Sequence, residues 1–205
     1  MLGLKPEPYA VLRETLAVAW RMTDHELLDL CRLRLAQLME VRAELAGGDD
    51  DLLSALASWE SSAAFDERTR AALAFSEQYH YDHLRLRDGD GLELRARLGE
   101  GEAVNFVWAL HMNDAYLRIL RLLDIDPDPL GAPPRLERTP LQADVDSRRW
   151  SRVATAGENV ASAVDPDFAA VKDELNRVTV RESLVDEVTS EAVRLHNAAH
   201  QQCVY

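Results

Sequence analysis

Leucine and alanine recur three and four positions apart through most of the chain, and runs of β-branched residues are almost absent, so the pattern predicts helices and no sheet. The expected class is all-α. A first helix is predicted over Pro8–Arg21, with Val11, Leu12, Leu16, Ala19 and Trp20 on its inner stripe. Thr23 and Glu26 have the Thr-x-x-Glu spacing of a capping box, which satisfies backbone N–H groups at a helix start. The second helix that follows carries Leu27, Leu28, Leu30, Cys31, Leu35, Leu38 and Val41, and Gly47-Gly48 supplies its stop.

Asp49 to Asp51 offer acidic caps for a short helix through Trp59, and Asp66 or Glu67 opens a longer one through Ala71, Leu73, Phe75 and Tyr79. Asp88-Gly89-Asp90-Gly91 reads as a turn, followed by a short helix from Leu92 to Leu98. Glu102–Leu123 carries Val104, Phe106, Val107, Leu110, Tyr116, Leu117 and Leu120, enough to be buried on more than one side. With the second helix it is expected to form the centre of the fold.

The pattern breaks at Asp124, because Pro127, Pro129, Pro133, Pro134 and Pro140 deny helix interior and sheet alike. This gives a helical block over residues 1–125, a proline-rich linker over 126–145 and a second helical segment over 146–205. Helices are predicted there at Ser147–Val164, at Pro166–Val178 with proline in the first turn, and at Val185–Tyr205. Three helices cannot close a core alone, so they should pack on the first block or on another chain. A weak repeat aligns Leu28–Ala36 with Ser190–Ala198, matching the acid, the Arg-Leu pair and the later alanine, in a composition where chance also produces such matches.

Charge narrows the classes of partner. Thirty-six acidic against 23 basic residues give a net charge of −13 with no basic block, which argues against nucleic acid and against an anionic membrane surface. No apolar run approaches the roughly 18 to 20 residues of a membrane span, and Met1–Tyr9 lacks the features of a signal peptide, so a cytoplasmic protein is expected. The two cysteines, Cys31 and Cys203, do not make a disulfide framework. No cofactor is implied.

Three segments carry a resemblance. They are Leu27–Leu38 (LLDLCRLRLAQL), Trp59–Gln78 (WESSAAFDERTRAALAFSEQ), and Glu102–Leu110 (EAVNFVWAL) running on to Asp114–Arg118 (DAYLR). Together they span about Pro8–Ile125 and resemble the carboxymuconolactone decarboxylase and alkyl hydroperoxidase D (AhpD-like) superfamily, with Asp186–Tyr205 similar to the start of a second copy. The resemblance implies an AhpD-like helical bundle followed by a partial second copy, assembly into homo-oligomers, and an antioxidant or small-molecule role.

In active members an acid precedes a Cys-x-x-Cys pair at a helix start, and a histidine follows. That arrangement lowers a thiol's pKa and supplies a second thiol to resolve the oxidised one. On the first block the resemblance places Asp29 at the acid, Val41 and Glu44 at the thiols, and Gly48 at the histidine, so no redox pair is expected there. On the second block it places Glu191 at the acid, as proton carrier, and Cys203 at the first thiol, with the sequence ending at Tyr205 before the second thiol position. Cys203 and Glu191 are therefore the catalytic candidates. A piece of a longer two-domain protein and a naturally degenerate member both fit, and a non-catalytic, self-associating scaffold or ligand-binding protein is the competing class.

Other constellations have bland alternatives. Cys203 has no basic neighbour to stabilise a thiolate, which favours an inert terminal cysteine, and Cys31 reads as a core residue. His196, His200 and Cys203 share a helix face but lack a fourth zinc ligand. Glu77, His80 and His83, with His111 and Asp114, could form a carboxylate and imidazole site, but they read better as the polar end of a buried helix. No metal is expected. The superfamily's pocket lies between such helices, so the resemblance makes His80 and His111 the candidates for ligand contact.

Overall fold

The computed structural model describes residues 6–46, 48–82, 88–124 and 165–181, together with Leu86 and scattered positions between 186 and 195. Every regular element among them is helical: α1 (Pro6–Arg21), α2 (His25–Leu38), α3 (Arg42–Leu45), α4 (Asp50–Ala57), α5 (Glu67–Asp82), α6 (Asp88–Leu98), α7 (Glu100–Leu123) and α8 (Pro166–Asn176), the last continuing into a π-helical turn, Arg177–Arg181. The protein is all-α, as the pattern predicts. No described helix is long and apolar enough to cross a membrane.

α7 is the axis of the molecule. It packs on α1, α2 and α6, and α2 packs in turn on α5, α3 and α4. Ala103, Val104, Phe106, Ala109, Leu110, Met112, Tyr116, Leu117 and Leu120 of α7 are all buried, which requires neighbours on more than one side. Leu28, Cys31, Leu35 and Ala36 of α2 and Ala72, Leu73 and Phe75 of α5 belong to the same core. α8 belongs to it too. Phe168 is fully buried among these residues, and α8 lies against α1, so this part of the second segment packs on the first block.

Several boundaries differ from the sequence expectation, each for a local reason. The cap of α2 is Asp24, one residue beyond the predicted capping box, and its Oδ1 accepts from the N–H groups of Glu26 and Leu27. Thr23 is drawn elsewhere: its hydroxyl donates to Glu102 of α7 at 2.8 Å, and Glu102 also accepts from the Asp24 N–H at 2.8 Å.

α2 ends at Leu38, well before Gly47-Gly48. The N–H of Glu40 donates to the carbonyl of Gln37 and that of Val41 to the carbonyl of Ala36, the paired bonds of a Schellman stop, with Val41 buried behind them. Glu40 takes the left-handed conformation, φ 55°, that glycine normally supplies at this place. α4 stops at Ala57, short of Trp59, whose indole turns inward.

Asp88-Gly89-Asp90-Gly91 is the first turn of α6 and not a turn between elements. A true glycine-dependent corner lies at its other end, where Gly99 has φ 82° and reverses the chain into α7, which starts two residues earlier than predicted. α8 begins as expected, with proline in the first turn and Asp165 Oδ1 accepting from the N–H groups of Asp167 and Phe168.

Candidate functional site

The C-terminal half of α5 lies beside the middle of α7, and the polar residues of the two helices meet in pairs. His80 Nδ1 is 2.7 Å from Asp114 Oδ1. Arg118, one turn further along α7, donates from Nε to Asp114 Oδ2 at 2.7 Å and from Nη2 to the His80 carbonyl at 2.8 Å. Asp114 therefore has both carboxylate oxygens engaged while its side chain is only 8% exposed. Burial alone would raise its pKa. The hydrogen bonds and charge of His80 and Arg118 outweigh that and hold the carboxyl below its usual range.

A second pair lies alongside. Tyr79 Oη and His111 Nδ1 are 2.8 Å apart, and the two rings meet edge to face. Burial, with the nearby Asp114 charge, pushes the Tyr79 hydroxyl up to about 12, so it remains a neutral phenol through the physiological range. Trp108, one turn before His111 on α7, sets its ring edge to face against His111 and packs on Phe168 of α8. Lys172 of α8 places its ammonium 3.9 Å from the centre of the Trp108 ring, a cation–π contact. The described part of the second segment thus completes the rim of this seam.

Both histidines singled out from the sequence sit in this seam, on different helices. Tyr79 and Arg118 were missed as site residues: Tyr79 counted only as part of an apolar stripe. The Asp114 and Arg118 pair, at i and i+4 on one helix, was the available signal. Glu77 does not join them. It faces the other side of α5, where its Oε1 accepts from Arg34 Nε of α2 and, at 2.7 Å, from the indole N–H of Trp59. His83 lies outside the described residues, and no group of three or more His, Cys, Asp or Glu among the described residues is placed to hold a metal ion.

Asp29 and Glu44, two of the positions that the resemblance singled out, join Arg32 in a second cluster. Arg32 donates from Nε and Nη2 to Asp29 Oδ1, at 2.9 and 2.7 Å, and from Nη1 to Glu44. Val41 is the N-cap residue of α3, and Glu44 stands in that helix's first turn. Asp29, Arg32 and Glu44 are thus tied into one ion cluster across the break between α2 and α3. Gly48 follows α3, and a Cβ there would meet Leu53 Cδ1 at 3.1 Å.

Cys31, on the opposite side of α2 from solvent, is completely buried, and burial pushes its thiol up to about 12. It is a core residue. A thiol that resists ionisation is neither nucleophile nor metal ligand. Cys203 and Glu191, with His196 and His200, lie outside the described residues, as does most of the segment aligned with Leu28–Ala36. No family model, curated protein or solved structure matches the chain.

Proposed function

We propose that this chain is a carboxymuconolactone decarboxylase/AhpD-like protein that has lost thiol chemistry in its first block and keeps a small-molecule role, with ligand contact at the seam around His80 and His111. The break between α2 and α3 supports this reading most. In active members the thiols stand at the start of the helix that follows the acid-bearing one. Val41, the N-cap residue of α3, and Glu44, in its first turn, stand in that relation to Asp29 on α2. Arg32 pairs with both carboxylates, so a fixed ion cluster takes up the acid position and one of the two thiol positions. Cys203, with Glu191 as proton carrier, is the remaining thiol site of family type, and the other cysteine of the sequence, Cys31, is buried and un-ionised.

The experiment restores what the sequence has replaced. The double variant Val41→Cys, Glu44→Cys should close an internal disulfide on mild oxidation. With a dithiol donor it should consume peroxide about tenfold faster than the parent chain, because a resolving thiol is again within reach. A folded double variant whose two thiols titrate freely yet form no disulfide, or form one without peroxide turnover, would contradict the reading.

A second reading, a self-associating scaffold, draws on the last turns of α7, where Ile119 and Leu122 share a face and Leu122 is 83% exposed. Sedimentation across micromolar concentrations tests it. A dimer or closed ring that Leu122→Glu disperses supports self-association, and a monomer throughout removes it.

A further inference from the structure

Trp108, His111, Ala115, Ile119 and Leu122 follow the three- and four-residue spacing of one helix face and form a stripe along α7. α8 covers its beginning, where Phe168 and Lys172 meet the Trp108 ring. Its end is bare, with Ile119 and Leu122 38% and 83% exposed. A second bare stripe lies further along the chain. Val188, Ala192 and Leu195 have helical backbone and the same spacing, and Val188 and Leu195 are 79% and 57% exposed. An apolar stripe on a helix is the part that packs on a neighbour, and in the single chain both of these face water.

The two stripes match in spacing and in charge. Val188, Ala192 and Leu195 repeat the intervals of Ala115, Ile119 and Leu122. Arg118 and Arg121 border the α7 stripe on one side, with 52% and 58% of their side chains exposed, Arg118 while still bonded to Asp114. In the sequence Glu187 and Glu191 stand one residue before Val188 and Ala192, the spacing of the corresponding border. Laid antiparallel, Val188 comes opposite Leu122 and Leu195 opposite Ala115, which sets Glu191 against Arg118 and Glu187 against Arg121. Two copies of the arginine-bordered stripe packed on each other would instead set like charges together.

We propose that the Val188–Leu195 stripe of one copy docks antiparallel on the Ile119–Leu122 end of α7 in a second copy, and the reverse, closing a two-fold dimer. The proposal rests on the self-association reading and deepens it by naming both halves of the contact. Apolar burial supplies its strength, and the charged borders set partner and direction.

The test is sedimentation of the full chain across micromolar concentrations, with helix content checked by circular dichroism. The parent should be a dimer. Leu122→Glu alters one stripe and the double variant Val188→Glu, Leu195→Glu the other, so each spoils both contacts of the dimer and should run as a monomer. Mixing the two variants restores one intact contact, so a heterodimer should form, at least about tenfold weaker than the parent dimer. Arg121→Glu should weaken the parent dimer about tenfold, and Glu187→Arg in the same chain should recover it. A monomeric parent would remove both this proposal and the self-association reading. A dimer that Leu122→Glu disperses and the double variant does not would overturn the proposal alone, because the α7 stripe would then pack on its own copy. A dimer that neither variant disperses, a mixture that stays monomeric, or a charge exchange without recovery would also overturn it.

Discussion

Glu40 holds a left-handed backbone conformation, φ 55°, at the stop of α2, and its exposed carboxylate is 3.8 Å from Arg121, which is also exposed. A surface pair of that kind contributes little, whereas the strain of a side chain in this conformation is about 1 kcal/mol. Glu40→Gly should therefore stabilise the protein by about 1 kcal/mol in urea unfolding. The glycines give the opposite contrast. A Cβ at Gly89 or Gly91, inside α6, meets nothing within 4 Å, so replacing either by alanine should add about 0.5 to 1 kcal/mol. Gly99, at φ 82°, should lose a similar amount as alanine despite equally open space. Unfolding midpoints of the four variants decide whether backbone conformation or packing governs these positions. They also show why composition misplaces these boundaries. An Asp-Gly-Asp-Gly run has the composition of a turn yet is tolerated in an exposed helical turn, and a helix stop built on glutamate carries no glycine to announce it.

At the scale of elements, the tie between α5 and α7 depends on charge. Asp114 has its pKa lowered by folding, so the stability it contributes is present in full above its unfolded value near about 4 and is lost as pH falls through the lower folded value. Asp114→Asn removes that contribution. The stability gap between the parent and Asp114→Asn should be widest at neutral pH and should narrow below about pH 4, as read from urea titrations at a series of pH values. A gap independent of pH would mean that packing, and not the ion cluster, joins the helices. Spacing within one helix showed the helix type, the buried stripe of α7 and the polar character of His80, His111 and Asp114. It could not pair His80 with Asp114 across 34 residues, nor show that Thr23 is recruited by Glu102, 79 residues away, which moved the cap of α2 onto Asp24. Partners that sit on different helices are set by packing geometry, which no periodicity encodes.

At the scale of the molecule, α8 is tied to the rest through one fully buried anchor, with Val171 and Leu175 packed beside it, and a few polar contacts. Phe168 is fully buried against Trp108, Asp165 N–H donates to Asn105 at 3.3 Å, and the Arg21 pair with Asp167 is solvated. Phe168→Ala should cost about 3 to 5 kcal/mol, and because Lys172 would then leave the Trp108 ring, tryptophan emission should shift as well. A small loss with unchanged emission would mean that α8 docks independently of its anchor. The wider account joins an all-helical core, the proposal that Val41 and Glu44, at the break between α2 and α3, stand at the places of thiols, and a buried, un-ionised Cys31. Peroxide turnover by the purified chain with a dithiol donor tests that account most directly. It predicts no more than about one oxidation event per chain, confined to Cys203. Rapid, repeated turnover that Cys203→Ser abolishes would contradict it.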